Sequence, residues 1–96
     1  TNTIADSLAA PHSLPYSYSL CERYLDGIAN VTEKQIIEAM KISFESLKLA
    51  LEPAAATAVA GLLGPCKETL FNKRVLVLVC GSNYDTQSFC NAFGGI

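Results

Sequence analysis

The 96-residue sequence predicts an α/β architecture in one small domain, with helices packed on a buried, mostly parallel strand. Three features lead there. Residues 75–80, "VLVLVC", are six consecutive apolar residues, the length and character of a strand buried on both faces. That run breaks on Gly81, Ser82 and Asn83, and a short helix can start directly behind it, giving strand, turn and helix in order. Upstream lie two segments with helical signatures, one amphipathic and one apolar all round.

Residues 1–15 are irregular and punctuated by Pro11 and Pro15. "YSYSLCERYLD", 16–26, carries Leu20, Tyr24 and Leu25 at helical spacing and predicts a short helix. "GIANV", 27–31, alternates apolar and small residues, a pattern compatible with a short strand. Thr32 and Gln35 fit a capping box, in which the hydroxyl accepts from the third helical amide and the glutamine side chain reaches back to the cap. Val31 and Ile36 are placed as its hydrophobic staple. Ile36, Ile37, Met40, Phe44, Leu47 and Leu51 recur at three- and four-residue steps and predict one apolar face. Lys34, Glu38, Lys41, Glu45 and Lys48 occupy the other face. Pro53 ends that helix and suits the first turn of the next, "PAAATAVAGLL". Thr57 is its only polar side chain, so the spacing predicts burial on all sides until Gly64 and Pro65 stop it. A loop containing "PCKETLFNK" leads to the strand Val75–Cys80. Asp85 stands as N-cap of a last helix over Thr86–Phe93.

Composition narrows the function. Charged residues make up 17% of the chain, against about 25% in a typical soluble domain. A small domain has more surface per residue than a large one, so the deficit predicts surface that something else covers. A net charge of −2, with basic residues spread along the chain, argues against a nucleic-acid partner. The apolar runs fall short of the roughly 20 residues of a membrane span. "TNTIADSLAAPHSLP" lacks the basic start and apolar core of a signal peptide, which implies a cytoplasmic chain. Cys21, Cys66, Cys80 and Cys90 are then expected as free, mostly buried thiols, although a disulfide framework would suit a secreted chain. His12 has no partner at ligand spacing and reads as a loop residue, so no metal site is predicted. Lys34, Lys41 and Lys48 have carboxylate neighbours and water beyond. Both keep them charged and unsuited to act as imine-forming nucleophiles.

Ligands of open α/β sheets bind at the carboxyl ends of strands, where the next helix also offers free amides. That rule locates a candidate site at Cys80–Asn83. A small core residue followed by a simple turn explains the same pattern.

Four pieces, "TIAD" at Thr3–Asp6, "VTEKQIIEAM", "LEPAAATAVAGLL" and "VLVLVCGSN", occur in order across most of the chain. Together they resemble the C-terminal part of the serine/threonine dehydratase and serine racemase family, pyridoxal-phosphate (PLP) enzymes of fold type II. The resemblance implies that residues 1–96 are a single incomplete domain, the C-terminal portion of a PLP-binding catalytic domain. It implies that Cys80 faces the pyridine nitrogen, with Gly81 and Asn83 in the turn behind it, where the family usually shows two glycines. It implies further that Glu52 lies near the cofactor and that Ser7 stands where relatives commonly carry a glycine close to the ring. PLP acts as an electron sink for an amino acid joined to it. A thiol at its ring nitrogen is a weak neutral partner, whereas a carboxylate would hold a proton there.

The family attaches PLP through a lysine in a Ser-x-Lys or Ser-Phe-Lys context and grips the phosphate with a glycine-rich loop. Neither occurs in this sequence. The expectation is therefore a chain that supplies the pyridine-ring wall of the pocket in a hydroxy-amino-acid ammonia-lyase or racemase. Its partners would be the remainder of the parent enzyme and a small hydroxy-amino-acid substrate. Alone it would be inactive and would self-associate. A start at Thr1 without methionine fits a fragment or a processed chain. Two alternatives are a non-catalytic module docking through its apolar surface and a cysteine-synthase-like β-replacement enzyme. The latter's relatives show a different turn from "CGSNYD".

Overall fold

Thr32 and Gln35 close the capping box that their spacing dictates. In the computed structural model, which describes residues 2–94, the Thr32 hydroxyl accepts from the Gln35 amide at 3.1 Å. Gln35 Oε1 accepts in turn from the Thr32 amide at 2.8 Å. The helix so started is the second of four: α1 Pro15–Tyr24, α2 Glu33–Leu47, α3 Pro53–Leu63 and α4 Thr86–Ala92. A single 3-10 turn, Asp6–Leu8, precedes them. Lys48 ends α2 in the left-handed conformation (φ 59°), and its amide donates to the Phe44 and Ser43 carbonyls. Pro53 opens α3 where its missing N–H costs nothing.

α2 and α3 pack along each other, and the 3-10 turn rests on α3. Between them sits a core of small residues, Ala5, Ala39, Ala54, Ala55, Ala56 and Ala60, filled out by Ile36, Met40 and Leu51. Small side chains let the two backbones approach closely, and Met40, fully buried, fills the space that remains. Ser43 is buried in the same contact with its hydroxyl unpartnered. Asp85 caps α4 by accepting from the Ser88 amide at 2.9 Å. Phe89 then fastens α4 to α2, its ring edge-on to Phe44 at 5.5 Å and to Phe93 at 4.9 Å.

The α/β prediction fails. Among the described residues every regular element is helical and no strand forms. Residues 75–80 carry no regular secondary structure, and none of them makes a backbone hydrogen bond with another described residue. Leu76 is 96% exposed and Leu78 76%, so the expected buried strand is largely in water. The physical reason is that a strand exists only by exchanging hydrogen bonds with a neighbour, and among the described residues no segment pairs with this one. Gly27–Val31 likewise carries no regular secondary structure and pairs with no other described segment.

Two smaller expectations also shift. The inward stripe of α2 is Ile36, Ala39, Met40 and Ser43, while Phe44 and Leu47 remain exposed. Facing alanines on α3 select the small residues of α2. Burial of α3 is confined mainly to its first half, and Leu63 is exposed. The four cysteines are free thiols, but none is buried: Cys21 and Cys80 are exposed, Cys66 and Cys90 half-buried.

The chain is spread rather than tight. Its radius of gyration is 14.2 Å, against about 12.5 Å for a compact domain of this length. It exposes 7576 Å², against roughly 5,400 Å² for a compact monomer of this mass. Among the described residues α1 packs closely on no other helix; it carries exposed Tyr16, Tyr18 and Tyr24, and Leu25 just past its end is exposed too.

Candidate functional site

Three separate segments meet at the starts of α2, α3 and α4. The first is the "TIAD" segment. Thr3 Oγ1 donates to the Glu33 carboxylate and accepts from the Ala5 amide at 3.1 Å. The Ile4 amide donates to the other Glu33 oxygen at 3.0 Å. Ala5 is buried in the core, and the 3-10 turn that follows presents Asp6 and Ser7 to solvent.

The second is Glu52, the N-cap residue of α3. Its side chain makes no cap hydrogen bond, so the carboxylate is free for other work. Its amide donates to the Gly81 carbonyl at 3.3 Å, tying the end of the segment 75–81 to the start of α3. A Cβ placed on Gly81 would stand 2.9 Å from Glu52 Oε1. Glycine at 81 is therefore what lets the Glu52 carboxylate lie where it does. The third segment runs from Asn83 through Tyr84 and Asp85 to Ser88 in the first turn of α4.

These segments border a cleft of about 650 Å³ lined by Thr3, Ile4, Asp6, Ser7, Glu52, Asn83, Tyr84, Asp85 and Ser88. Among the described residues, none lining it carries a positive charge, while Asp6, Glu52 and Asp85 bring carboxylates to it. The Ser88 hydroxyl and amide hold the Asp85 carboxyl below its ordinary range. Partial burial, reinforced by Asp85 and Asp6, pushes the Tyr84 phenol up, so it stays a neutral donor. The Glu33 carboxyl is held low by the Thr3 hydroxyl and then by the Ile4 amide. Such a cleft suits a neutral or cationic group and disfavours an anion. Among the described residues no His, Cys, Asp or Glu cluster could hold a metal ion. Two grooves of similar volume, one beside α1 at Tyr18 and Leu25 and one between α2 and α4 at Phe44 and Phe93, are mainly apolar. They offer fewer polar groups to orient a ligand.

Ser7, Glu52 and Asn83, which the sequence singles out, line the polar cleft, and Gly81 adjoins it through Glu52. Cys80 is exposed and is not among the lining residues. Asp6, Tyr84 and Ser88 escaped the sequence reading, and Asp85 was legible only as a helix cap. The available signal was their position: Asp6 closes "TIAD", and Tyr84 and Asp85 extend the turn after Gly81.

Residues 1–81 match the family model described as pyridoxal-phosphate dependent enzyme. Among curated proteins the chain is 49% identical over 92 residues to a phenylserine dehydratase of Ralstonia pickettii, covering 96% of this chain and 28% of that protein. It is 34% identical over 88 residues to a serine racemase of Dictyostelium discoideum, covering 91% of this chain and 27% of that one. It is 29% identical over 93 residues to an L-threo-3-hydroxyaspartate ammonia-lyase of Saccharomyces cerevisiae, covering 97% and 28%. The chain thus spans little more than a quarter of the length of these relatives. No solved structure matches it.

Proposed function

The chain belongs to the pyridoxal-phosphate dependent enzyme family, and from that membership we propose that it forms one wall of the cofactor pocket in a larger enzyme. That enzyme removes water from a small 3-hydroxy amino acid and releases ammonia when water hydrolyses the resulting imine, leaving a keto acid, or it racemises the amino acid. The names of the relatives (a phenylserine dehydratase, a hydroxyaspartate ammonia-lyase and a serine racemase) support this substrate class. The observation that carries the reading is the meeting of Ser7, Glu52, Gly81 and Asn83 at one cleft, although they come from three distant parts of the chain.

The residues present fit part of the cofactor. A hydroxyl at Ser7, a carboxylate at Glu52 and an amide at Asn83 offer hydrogen bonds to the polar edge of an aromatic ring, and Gly81 leaves room for the Glu52 carboxylate. They do not fit its phosphate, which Asp6, Glu52 and Asp85 would repel. The phosphate grip and the anchoring amine therefore belong to the remainder of the enzyme. Bound PLP supplies the electron sink for the substrate's α-carbon. In this reading Cys80, exposed in the chain alone, would offer its thiol as a weak neutral partner to the cofactor ring once the rest of the enzyme covers residues 75–80. The roughly 2,000 Å² of surplus surface supports the need for such a cover, and predicts self-association without it.

The test is reconstitution. Combined with the remaining portion of the parent enzyme and PLP, the chain should restore visible cofactor absorbance and keto-acid release from 3-hydroxy amino acids; alone it should do neither. Gly81→Ala should displace the Glu52 carboxylate and lower PLP affinity about tenfold, with stability changed by less than about 1 kcal/mol because a flexible side-chain end moves. Cys80→Asp should alter the protonation of the bound cofactor. The same exposed apolar surface also supports a second reading, a non-catalytic docking module. That reading gains if the reconstituted complex forms and shows no response to PLP.

A further inference from the structure

We propose that Glu33 is the positioning residue of the cleft, its carboxylate holding Thr3 and Ile4 so that Asp6 and Ser7 stay opposite Glu52. The role of that position in cofactor binding rests on the reading above; the pin itself rests on geometry.

Glu33 is the first residue of α2, about thirty positions along the chain from the segment it grips. Both carboxylate oxygens are used, one by the Thr3 hydroxyl and one by the Ile4 amide at 3.0 Å. Thr3 is doubly engaged, since its hydroxyl also accepts from the Ala5 amide. Glu33 is not needed to start its own helix, because Thr32 and Gln35 already do that. Its carboxylate is thus committed to a distant segment rather than to local structure.

The remaining restraints on that segment are of another kind. The 3-10 bonds, Leu8 N to Ala5 O and Ala9 N to Asp6 O, tie the segment to itself and not to the body of the protein. Ala5, 3% exposed, anchors it in the core, and Ile4 packs beside it. An alanine methyl fixes a location but resists rotation weakly, because it offers one small, nearly symmetrical contact. Two directional bonds at Thr3 and Ile4 remove that rotation. Thr3, Ile4, Asp6 and Ser7 together form one side of the cleft, so a single carboxylate sets the orientation of that whole side. Both donors favour the ionised carboxyl, in keeping with its lowered pKa.

The test needs no loaded enzyme. In this chain, E33A should speed amide hydrogen exchange at Ile4 and Ala5 by about tenfold, while amides within α2 change less than about twofold. E33Q, which keeps one acceptor, should fall between. T3V removes the hydroxyl from the other side and should reproduce the effect at Ile4, whose own acceptor on Glu33 it leaves in place, which guards against misreading a folding defect at position 33. Unchanged exchange at Ile4 and Ala5, or equal acceleration throughout α2, overturns the proposal. In the reconstituted enzyme, E33A should weaken PLP binding about tenfold, and E33Q should weaken it less. If the wild-type complex takes up no PLP, the functional reading of the cleft fails, while the exchange measurements still decide what Glu33 holds.

Discussion

α3 and the segment Val75–Cys80 are the two most apolar stretches of the chain, and the structure treats them in opposite ways. Ala54, Ala55, Ala56 and Ala60 disappear against α2, whereas Leu76 and Leu78 stand in water. A helix satisfies its own backbone and needs only a complementary side-chain surface. α2 supplies one within a short connection. An extended segment needs a backbone partner as well, and the described residues do not supply it. Apolar character alone therefore does not decide burial; the availability of a partner does.

The largest expected effect tests that contrast directly. Met40→Ala should cost about 2–5 kcal/mol in urea unfolding, because it leaves a cavity between α2 and α3. Measured dilute enough to keep the chain monomeric, Leu76→Ala should cost less than about 0.5 kcal/mol, as exposed positions do. Comparable losses at the two sites under those conditions would break the contrast. Smaller and opposite in sign, Ser43→Ala should stabilise the chain by about 1 kcal/mol, because it removes a buried hydroxyl that has no partner. A loss on that substitution would show that the α2–α3 contact depends on the hydroxyl.

The third prediction concerns pH and separates helix starts that look alike. The carboxyls of Glu33 and Asp85 are both lowered by donors in the fold, so their contributions are complete above the ordinary carboxylate range and vanish as the pH falls through the lowered folded values. The capping box of α2 contains only a hydroxyl and an amide and does not titrate. In acid, therefore, protection at Ser88 and Ile4 should fade while that at Gln35 persists, as NMR exchange can measure residue by residue.

What could be read from the sequence was what is local. Thr32 with Gln35, Asp85 before Thr86, and Pro53 at a helix start each act within one turn, so their spacing carries the answer. The inward stripe of α2 could not be read fully, because large residues such as Phe44 and Leu47 dominate a periodicity count. The real partner, a row of alanines on α3, accepts Ala39 and Ser43 instead. The strand at 75–80 failed at longer range: its composition was legible, and so was the want of neighbours in so short a chain, but an apolar run forms a strand only when a second segment pairs with it. At the cleft, Ser7 and Glu52 came from a family resemblance, while Gly81 and Asn83 were also marked by the turn that follows the apolar run. The grip of Glu33 on Thr3 had no sequence signal, since nothing in either residue names a partner thirty positions away.

The excess of uncovered surface also bears on how long such a chain survives. Leu76, Leu78, Phe71 and the tyrosines of α1 are the kind of exposed greasy side chains that chaperones hold and proteases attack. On the proposed reading, a molecule built this way is a client of quality control until its complement, the remainder of the enzyme, covers it. Its steady-state abundance in a cell would then be metered by how much complement is made, and half-life with and without co-expression would report assembly before any turnover is measured.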